Sequence, residues 1–297
     1  MLKPTFGWIV QTTARNDTQI DHLLEANHRT IERLAGPFES LWFDDHFHKD
    51  GAPILESWTA LCYLAAQYPQ MKFGTLVLCQ SYRNPALVAK MMATLQVFTG
   101  GRFMAGIGAG WKEDEYQAYG YPFPAGHIRI DQLREAVQIL KRMWRHSPAT
   151  FEGRYYSVRE ATCEPLPHPP PPLLIAGGGE RMTLRLVAEE ADLMNLAFVT
   201  PQQYAHKLDV LQRHCAAVGR DAGTIRKTLW AYVALGGSSL GPLDPRGRFI
   251  LSGSATHVAG LLKAYLDLGV DYFMLRFVDY PAMEGAGQFV DKVLPLL

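Results

Sequence analysis

The sequence predicts an α/β protein whose architecture is a (β/α)8 TIM barrel with insertions. Short apolar runs typical of strands alternate with longer amphipathic runs typical of helices, which favours parallel β-α-β architecture. Eight strand–helix pairs can be counted, the number that a closed barrel needs. The chain has 297 residues, of which 48% are hydrophobic, enough for one barrel of about 250 residues and its insertions. We therefore expect residues 1–297 to form a single domain.

Four strand–helix units are predicted in the first half of the chain. The strands are rich in aromatic and β-branched residues, and the helices repeat apolar residues at i, i+3 and i+4. Pro85 suits the first turn of the third helix, where its missing N–H has no partner to lose. In chain order, the units are strand 5–10 with helix 18–34, strand 40–45 with helix 56–68, strand 71–78 with helix 86–98, and strand 102–108 with helix 126–146.

The second half begins with an insertion. Residues 149–158 predict a β-hairpin with Gly153 at its turn, and a proline-rich segment then leads into the next strand as a stiff connection. The strand–helix alternation continues from there to the end of the chain. The units are strand 173–176 with helix 180–190, strand 191–198 with helix 202–218, strand 228–236 with helix 256–268, and strand 272–278 with helix 282–294.

Composition excludes several classes of function. The 29 Lys and Arg residues balance the 29 Asp and Glu residues, so we expect no binding of nucleic acid or of an anionic membrane surface. No apolar run approaches the length of a transmembrane helix. The four cysteines are far apart in sequence and imply no disulfide framework, as in a reducing compartment. We expect a cytoplasmic protein that acts on a small molecule.

Because (β/α)8 barrels carry their active sites at the carboxyl ends of the strands, the residues that follow each strand are the candidates. The second strand ends in "DDHFHKD", where Asp45 and His46 could face an organic cofactor or substrate. His46 could exchange protons near neutral pH, or it could simply cap a carboxylate. His46 and His48 also resemble the H-x-H pair of metal-dependent hydrolases, but later strand ends supply no further ligands, so we expect no metal site.

Two glycine-rich segments follow other strands. In "GIGAGWKEDEY" (residues 106–116), the glycines do not match the G-x-G-x-x-G fingerprint, but they allow the backbone to approach a flat or anionic ligand. In "IAGGGER" (residues 175–181), the glycine amides and the next helix N-terminus suit a phosphate. Arg181 could add a contact or be solvated. Trp111 could form a wall or lie in the core, and the acidic run 113–115 is by default a solvated helix face.

Taken together, these segments resemble the bacterial-luciferase-like superfamily of flavin and deazaflavin oxidoreductases, and within it the branch that uses coenzyme F420. The matching stretches span nearly the whole chain. The resemblance implies hydride transfer between deazaflavin C5 and a small organic substrate, and it implies a homodimer. The matching stretches include "WFDDHF", "FGTLVLCQSYRNPALVAKMMATLQVFTGGRFMAGIGAGWKEDEY", "TFEGRYYSV", "PPLLIAGGGERMTLRLVAEEADLMNL" and "GVDYFMLRF".

The resemblance also assigns roles to individual positions. His46 would be the catalytic residue that donates or accepts a proton beside the deazaflavin ring. A non-prolyl cis peptide at Leu76–Val77 would support the ring from behind, and the glycines of residues 177–179 would hold the phosphate. The positions implied to bind the cofactor are Asp45, His46, Leu76, Val77, Gly108, Ala109, Gly110, Gly177, Gly178 and Gly179.

One departure from the family pattern concerns the substrate. In the sugar-phosphate dehydrogenase branch a Glu follows the glycine loop, whereas Trp111 stands there in this chain. Glu113 or Glu115 could replace that acid only if the helix turns it inward. The loops 111–127, 149–172 and 236–252 would shape the substrate pocket.

Two other functions remain open. The same pocket could use reduced FMN, supplied by a separate reductase, together with oxygen, which would make the protein an FMN-dependent monooxygenase. Alternatively, it could be a non-catalytic protein that binds a flavin or deazaflavin without turnover.

Overall fold

The computed structural model describes residues 3–14, 20–49, 51–235 and 241–297. Within these ranges the strands are β1 (Thr5–Ile9), β2 (Ser40–Phe43), β3 (Lys72–Thr75), β4 (Leu78–Cys79), β5 (Phe103–Gly108), β6 (Ala149–Glu152), β7 (Ser157–Ala161), β8 (Leu173–Ala176), β9 (Leu193–Ala197), β10 (Arg226–Ala234), β11 (Ile250–Ser252) and β12 (Val270–Phe277).

The helices lie between these strands and cover the outside of the sheet. They are α1 (Ile20–Leu34), α2 (Ser57–Gln67), α3 (Pro85–Phe98), α4 (Glu113–Ala118), α5 (Gly126–Arg145), α6 (Thr183–Glu190), α7 (Pro201–Ala217), α8 (Ala255–Asp267) and α9 (Glu284–Gln288). As predicted, Pro85 lies in the first turn of α3, and the Asn84 side chain caps that helix. No helix in the described ranges is both long and apolar enough to cross a membrane.

Eight parallel strands close into a barrel, which confirms the predicted fold. The order is β1, β2, β3, β5, β8, β9, β10 and β12, and β12 pairs with β1 to complete the ring. Each of these strands overlaps a predicted one within a few residues. Residue 236 of the predicted seventh strand and residues 18–19 of the first predicted helix lie outside the described residues. The predicted hairpin is present as β6 and β7, which are antiparallel.

The predicted strand 71–78 is divided into β3 and β4, which the sequence did not suggest. The Thr75 hydroxyl donates a hydrogen bond to the Gly106 carbonyl (2.7 Å) and accepts one from the Gly106 N–H (2.9 Å). The Thr75 side chain therefore replaces the backbone–backbone hydrogen bonds that would otherwise continue the pairing with β5 at this point. The peptide bond that follows, Leu76–Val77, is cis, as the resemblance implies.

Two further differences from the prediction lie near the end of the chain. The predicted helix 282–294 is α-helical only in α9, and it continues as a single turn of π-helix at Phe289–Val293. The short strand β11, which pairs with β10, was not predicted, because three residues carry little periodicity.

The barrel interior is filled by large side chains that glycines accommodate. The Trp42 indole is completely buried and donates to the Ser40 hydroxyl (2.9 Å). A Cβ atom at Gly7 or Gly74 would overlap the Trp42 side chain. A second apolar layer fills the space between the barrel and its helices. The interior therefore resembles a close-packed core, in which extra volume has a cost.

We expect Gly106→Ala to destabilise the protein, because a Cβ atom there would overlap the Thr75 carbonyl oxygen of the neighbouring strand. The free energy of unfolding should fall by about 3 kcal/mol, as for other overpacked cores. Urea denaturation followed by circular dichroism measures this change. Gly260→Ala is the control, since nothing lies within 4 Å of the added atom, and it should not destabilise. Equal unfolding midpoints for Gly106→Ala and the wild type would contradict this packing account.

Candidate active site

A cavity of about 650 Å³ opens at the carboxyl end of the barrel. Its wall is built by residues that follow the strands, where the sequence placed the site. Nine of the ten positions implied to bind a cofactor line this cavity, and Gly179 is not among the lining residues. The nine are Asp45, His46, Leu76, Val77, Gly108, Ala109, Gly110, Gly177 and Gly178. Their contact with a cofactor stays a prediction.

His46 lies against a buried carboxylate, Glu115 of α4. The His46 Nδ1 atom is 3.0 Å from Glu115 Oε2, and the Glu115 side chain is completely shielded from solvent. The backbone N–H groups of Phe47 and His48 and the Tyr82 hydroxyl also donate to this carboxylate. The expectation of a solvated acidic face is therefore wrong for Glu115, although Glu113 is exposed.

His46 and Glu115 shift each other's pKa in opposite directions. Burial alone would raise the pKa of Glu115, but the hydrogen bond and charge of His46, the His48 N–H and the Lys112 charge lower it to about 2. Burial alone would lower the pKa of His46, but the hydrogen bond to Glu115 and the charges of Asp44, Glu115 and Asp45 raise it above its usual value. Glu115 is thus ionised across the neutral range, and His46 is held close to a permanent negative charge.

The carboxylate of Asp45, one of the predicted cofactor-binding residues, is hydrogen-bonded by groups of the protein itself. Arg83 binds it with two nitrogens, at 2.8 Å and 3.1 Å, and the Cys79 N–H donates to it at 2.9 Å. The Arg83 guanidinium also contacts Glu56, the N-cap of α2. Asp45 therefore ties the end of β2 to β4 directly and to α2 through Arg83.

A buried ion pair that the sequence analysis missed joins the ends of β2 and β12. Arg276 is 3% exposed and binds Asp44 with two nitrogens, at 3.0 Å and 3.1 Å. Its guanidinium also donates to the Val10 carbonyl. Burial raises the pKa of Asp44, but the charge and hydrogen bonds of Arg276, followed by the charges of His46 and Lys49, outweigh that effect and lower it to about 2. The only signal in the sequence was an arginine inside an otherwise apolar strand.

An aromatic wall, which the sequence analysis also missed, closes the side of the cavity formed by β9 and β10. It consists of Phe198, Trp230 and Tyr232, with the Arg248 guanidinium above two of the rings. The distances from Arg248 to the ring centroids are 4.6 Å for Phe198 and 5.0 Å for Tyr232, within the range of cation–π contact. This wall offers flat apolar surface and positive charge to a bound molecule.

Packing explains the glycines of the first glycine-rich segment but not Gly178 of the second. A Cβ atom at Gly108 would lie 2.7 Å from Val77 Cγ2, and one at Gly110 would overlap the Tyr116 hydroxyl. The alternating glycines therefore admit neighbouring protein groups, in addition to any ligand. At Gly178, an added Cβ would meet only Leu196 and Lys207, at 3.5 Å and 3.6 Å, which is ordinary contact.

Packing therefore does not require a glycine at position 178. The loop begins at Gly177, whose φ of 128° favours glycine, and α6 begins at Thr183, three residues later than predicted, without a side-chain cap. The open surface at Gly178, followed by the N-terminus of α6, suits a phosphate group. These residues fit the phosphate of a flavin or deazaflavin cofactor.

Residues 6–240 match the family described as luciferase-like monooxygenase. This chain belongs to the luciferase-like monooxygenase family. It is 30% identical to the F420-dependent glucose-6-phosphate dehydrogenase of Kineococcus radiotolerans, a match that covers 87% of this chain and 88% of that protein. The enzyme of the same name from Amycolatopsis mediterranei is 32% identical, with 87% of this chain and 90% of that protein covered.

Several solved structures share the fold. An F420-dependent secondary alcohol dehydrogenase in complex with an F420-acetone adduct superposes with a TM-score of 0.82 at 19% identity, over 100% of this chain and 98% of that one. EDTA monooxygenase from Chelativorans sp. BNC1 gives a TM-score of 0.80 at 14% identity, over 99% and 93% of the two chains. These likenesses show the barrel architecture.

In this luciferase-like chain, Trp111 lies at the mouth of the cavity and not in the core. Its side chain is 67% exposed, and its ring is nearly perpendicular to that of His46, with the centroids 5.9 Å apart. The described residues contain no group of three His, Cys, Asp or Glu side chains that could hold a metal ion. His46 and His48 instead bind Glu115 and Lys112, respectively.

Proposed function

We propose that this protein is a coenzyme F420-dependent oxidoreductase that acts on a small organic substrate. The observation that carries the proposal is that one cavity is lined by both His46, bonded to buried Glu115, and the open glycine loop at Gly177 and Gly178. A proton-transfer group and a phosphate cradle in one cavity suit a phosphorylated redox cofactor. Relatives named F420-dependent, matched over most of their length, support the choice of cofactor.

Each part of the cavity has a role in this proposal. The Gly178 amide would hold the phosphate, since the Gly177 N–H already donates to the Asn195 carbonyl (3.1 Å). The Leu76–Val77 segment would lie behind the ring, and His46 would face the reacting atoms. When bound, coenzyme F420 supplies the hydride donor or acceptor at C5. The protein orients the two reactants, excludes water and moves a proton at His46.

The substrate is proposed only as a small organic molecule. The relatives are named as dehydrogenases of glucose 6-phosphate. In this chain, Trp111 stands at the position where the sugar-phosphate dehydrogenase branch has a Glu. A redox assay with F420 should therefore compare glucose 6-phosphate with a panel of simple alcohols, ketones and aldehydes. Redox change with any member supports the oxidoreductase. Stoichiometric F420 binding without redox change would favour the non-catalytic protein, and oxygen uptake with reduced FMN would favour the monooxygenase and its separate reductase.

We also propose that the protein forms a homodimer in the cytoplasm. The helices α2 and α3 carry large exposed apolar side chains that suit burial against a second copy; they are Tyr63, Leu87, Val97 and Phe98. The four cysteines are free thiols, which suits a reducing compartment. Light scattering of the purified protein measures the number of subunits.

We expect Gly178→Ala to weaken F420 binding about tenfold without changing stability. The added methyl makes only ordinary contacts with Leu196 and Lys207, so folding should be unaffected, but it fills space next to the phosphate. A tenfold loss corresponds to about 1.4 kcal/mol. Fluorescence titration with F420 measures the affinity, and thermal unfolding provides the control. Unchanged affinity would mean that the phosphate does not bind at this loop.

A further inference from the structure

We propose that Glu115 is a positioning residue that orients His46 and keeps it as a proton donor through Nε2, which suits reduction of a ketone or aldehyde. The catalytic half of this inference rests on the proposed function. The structural half concerns only the side chains of the unliganded protein. The two halves can therefore be tested separately.

The orientation follows from the hydrogen bonds of Glu115. An ionised carboxylate only accepts hydrogen bonds, so the His46 Nδ1 atom, 3.0 Å from Oε2, must carry a hydrogen. The carboxylate is fixed because Tyr82 and the N–H groups of Phe47 and His48 also donate to it. Nε2 is then the ring nitrogen left to face the cavity, since Nδ1 is engaged.

Negative charge around His46 favours its protonated form. Asp44, Asp45 and Glu115 all act in this direction and outweigh the cost of burying the cation. The charged and titratable groups around His46 are Asp44 with Arg276, Asp45 with Arg83, Glu115 with Lys112 and Tyr82, and His48 and Lys49 on the same loop.

This arrangement suits the reduction of a carbonyl group to an alcohol. The carbonyl carbon accepts a hydride from the reduced coenzyme and forms a C–H bond, while the C=O π pair moves to oxygen. That oxygen takes the proton from His46 Nε2, and the substrate leaves as an alcohol. The bound coenzyme would supply the two electrons with the hydride and would release one further proton, which balances the proton that His46 regains from solvent. His46 keeps its Nδ1–H on Glu115 throughout.

The first test uses the protein without cofactor. NMR of the 15N-labelled histidine ring reports both the tautomer and the pKa of His46. In the wild type we expect a pKa above the usual value of about 6.5 and a neutral form with hydrogen on Nδ1. In Glu115→Gln the pKa should fall to the usual value or below it. Glu113→Gln, an exposed position on the same helix, is the matched control and should leave His46 unchanged.

Hydrogen on Nε2 in the neutral wild type, or an unchanged His46 pKa in folded Glu115→Gln, would overturn the proposal. If Glu115→Gln does not fold, the wild-type tautomer alone decides. Tyr82→Phe provides a milder variant, because it removes one donor from Glu115 and should shift the His46 pKa in the opposite direction, upward. A downward shift would also contradict the proposal.

The second test uses the loaded enzyme. Carbonyl reduction should be fastest below the pKa of His46 and should fall as pH rises through it, because the proton donor is lost. Glu115→Gln should move this fall to lower pH and lower kcat, with the KM of the carbonyl substrate nearly unchanged. A fall at the same pH in both proteins would contradict the role of Glu115. If the wild type does not bind F420 at all, the proposed function fails while the NMR result stands on its own.

Discussion

His46→Ala should lower turnover by about 100-fold or more, the range for loss of a general acid or base, and should leave F420 affinity nearly unchanged. The His46 imidazole lines the cavity and is hydrogen-bonded to the buried carboxylate of Glu115. Removing it takes away the proton that accompanies hydride transfer. The phosphate loop at Gly177 and Gly178 lies on a different strand end and is not altered.

Steady-state kinetics and a parallel F420 titration measure the two quantities for His46→Ala. His22→Ala, an exposed position on α1, is the control and should retain wild-type kinetics. Unchanged turnover in His46→Ala would remove this residue from the mechanism. A large loss of F420 affinity would mean that it serves mainly to bind the cofactor.

Arg276→Met should destabilise the protein by about 3 to 5 kcal/mol, because removing one partner of a buried ion pair leaves the other charge uncompensated. Asp44 would lose both of the guanidinium nitrogens that bind it. The Val10 carbonyl would lose a donor as well. Urea denaturation at neutral pH measures the loss. The double variant Arg276→Met with Asp44→Asn should recover part of it, because no buried charge is left unpaired.

The same ion pair predicts a pH dependence. The pKa of Asp44 is lowered from 3.8 to about 2 in the folded protein. A lowered carboxyl pKa adds stability above the unfolded value, and that stability is lost as pH falls toward the folded value. Between those two values, Arg276→Met should therefore lose less stability on acidification than the wild type. Equal acid dependence in the two proteins would contradict the pairing.

The sequence predicts the barrel well because strand formation depends on local composition. The run Leu173–Ala176 is short and apolar, as is typical of a strand that is buried between two parallel neighbours. The location of the site follows from the same regularity, since parallel strands end on one face. For this reason His46 and Gly178 could be placed in one cavity before any contact was known.

The contacts that define the chemistry depend on positions far apart in the chain. Arg276 and Asp44 are separated by 232 residues, and no local pattern links them. Glu115 lies in an acidic run that is typical of a solvated helix, and only the docking of α4 against the loop after β2 buries it. The glycines at 108 and 110 line the cavity as expected, but the contact of Gly108 with Val77 depends on the break between β3 and β4, and that of Gly110 with Tyr116 depends on the docking of α4.

The identity of the cofactor decides between a hydride-transfer enzyme and a monooxygenase, and a binding titration distinguishes the two. Purified protein is titrated with F420 and with FMN, each oxidised and reduced, while the absorbance and fluorescence of the cofactor are followed. We predict saturable, tight binding of F420 and much weaker binding of FMN. Preference for reduced FMN would contradict the proposal, because the cavity would then serve a monooxygenase that needs oxygen and a separate reductase.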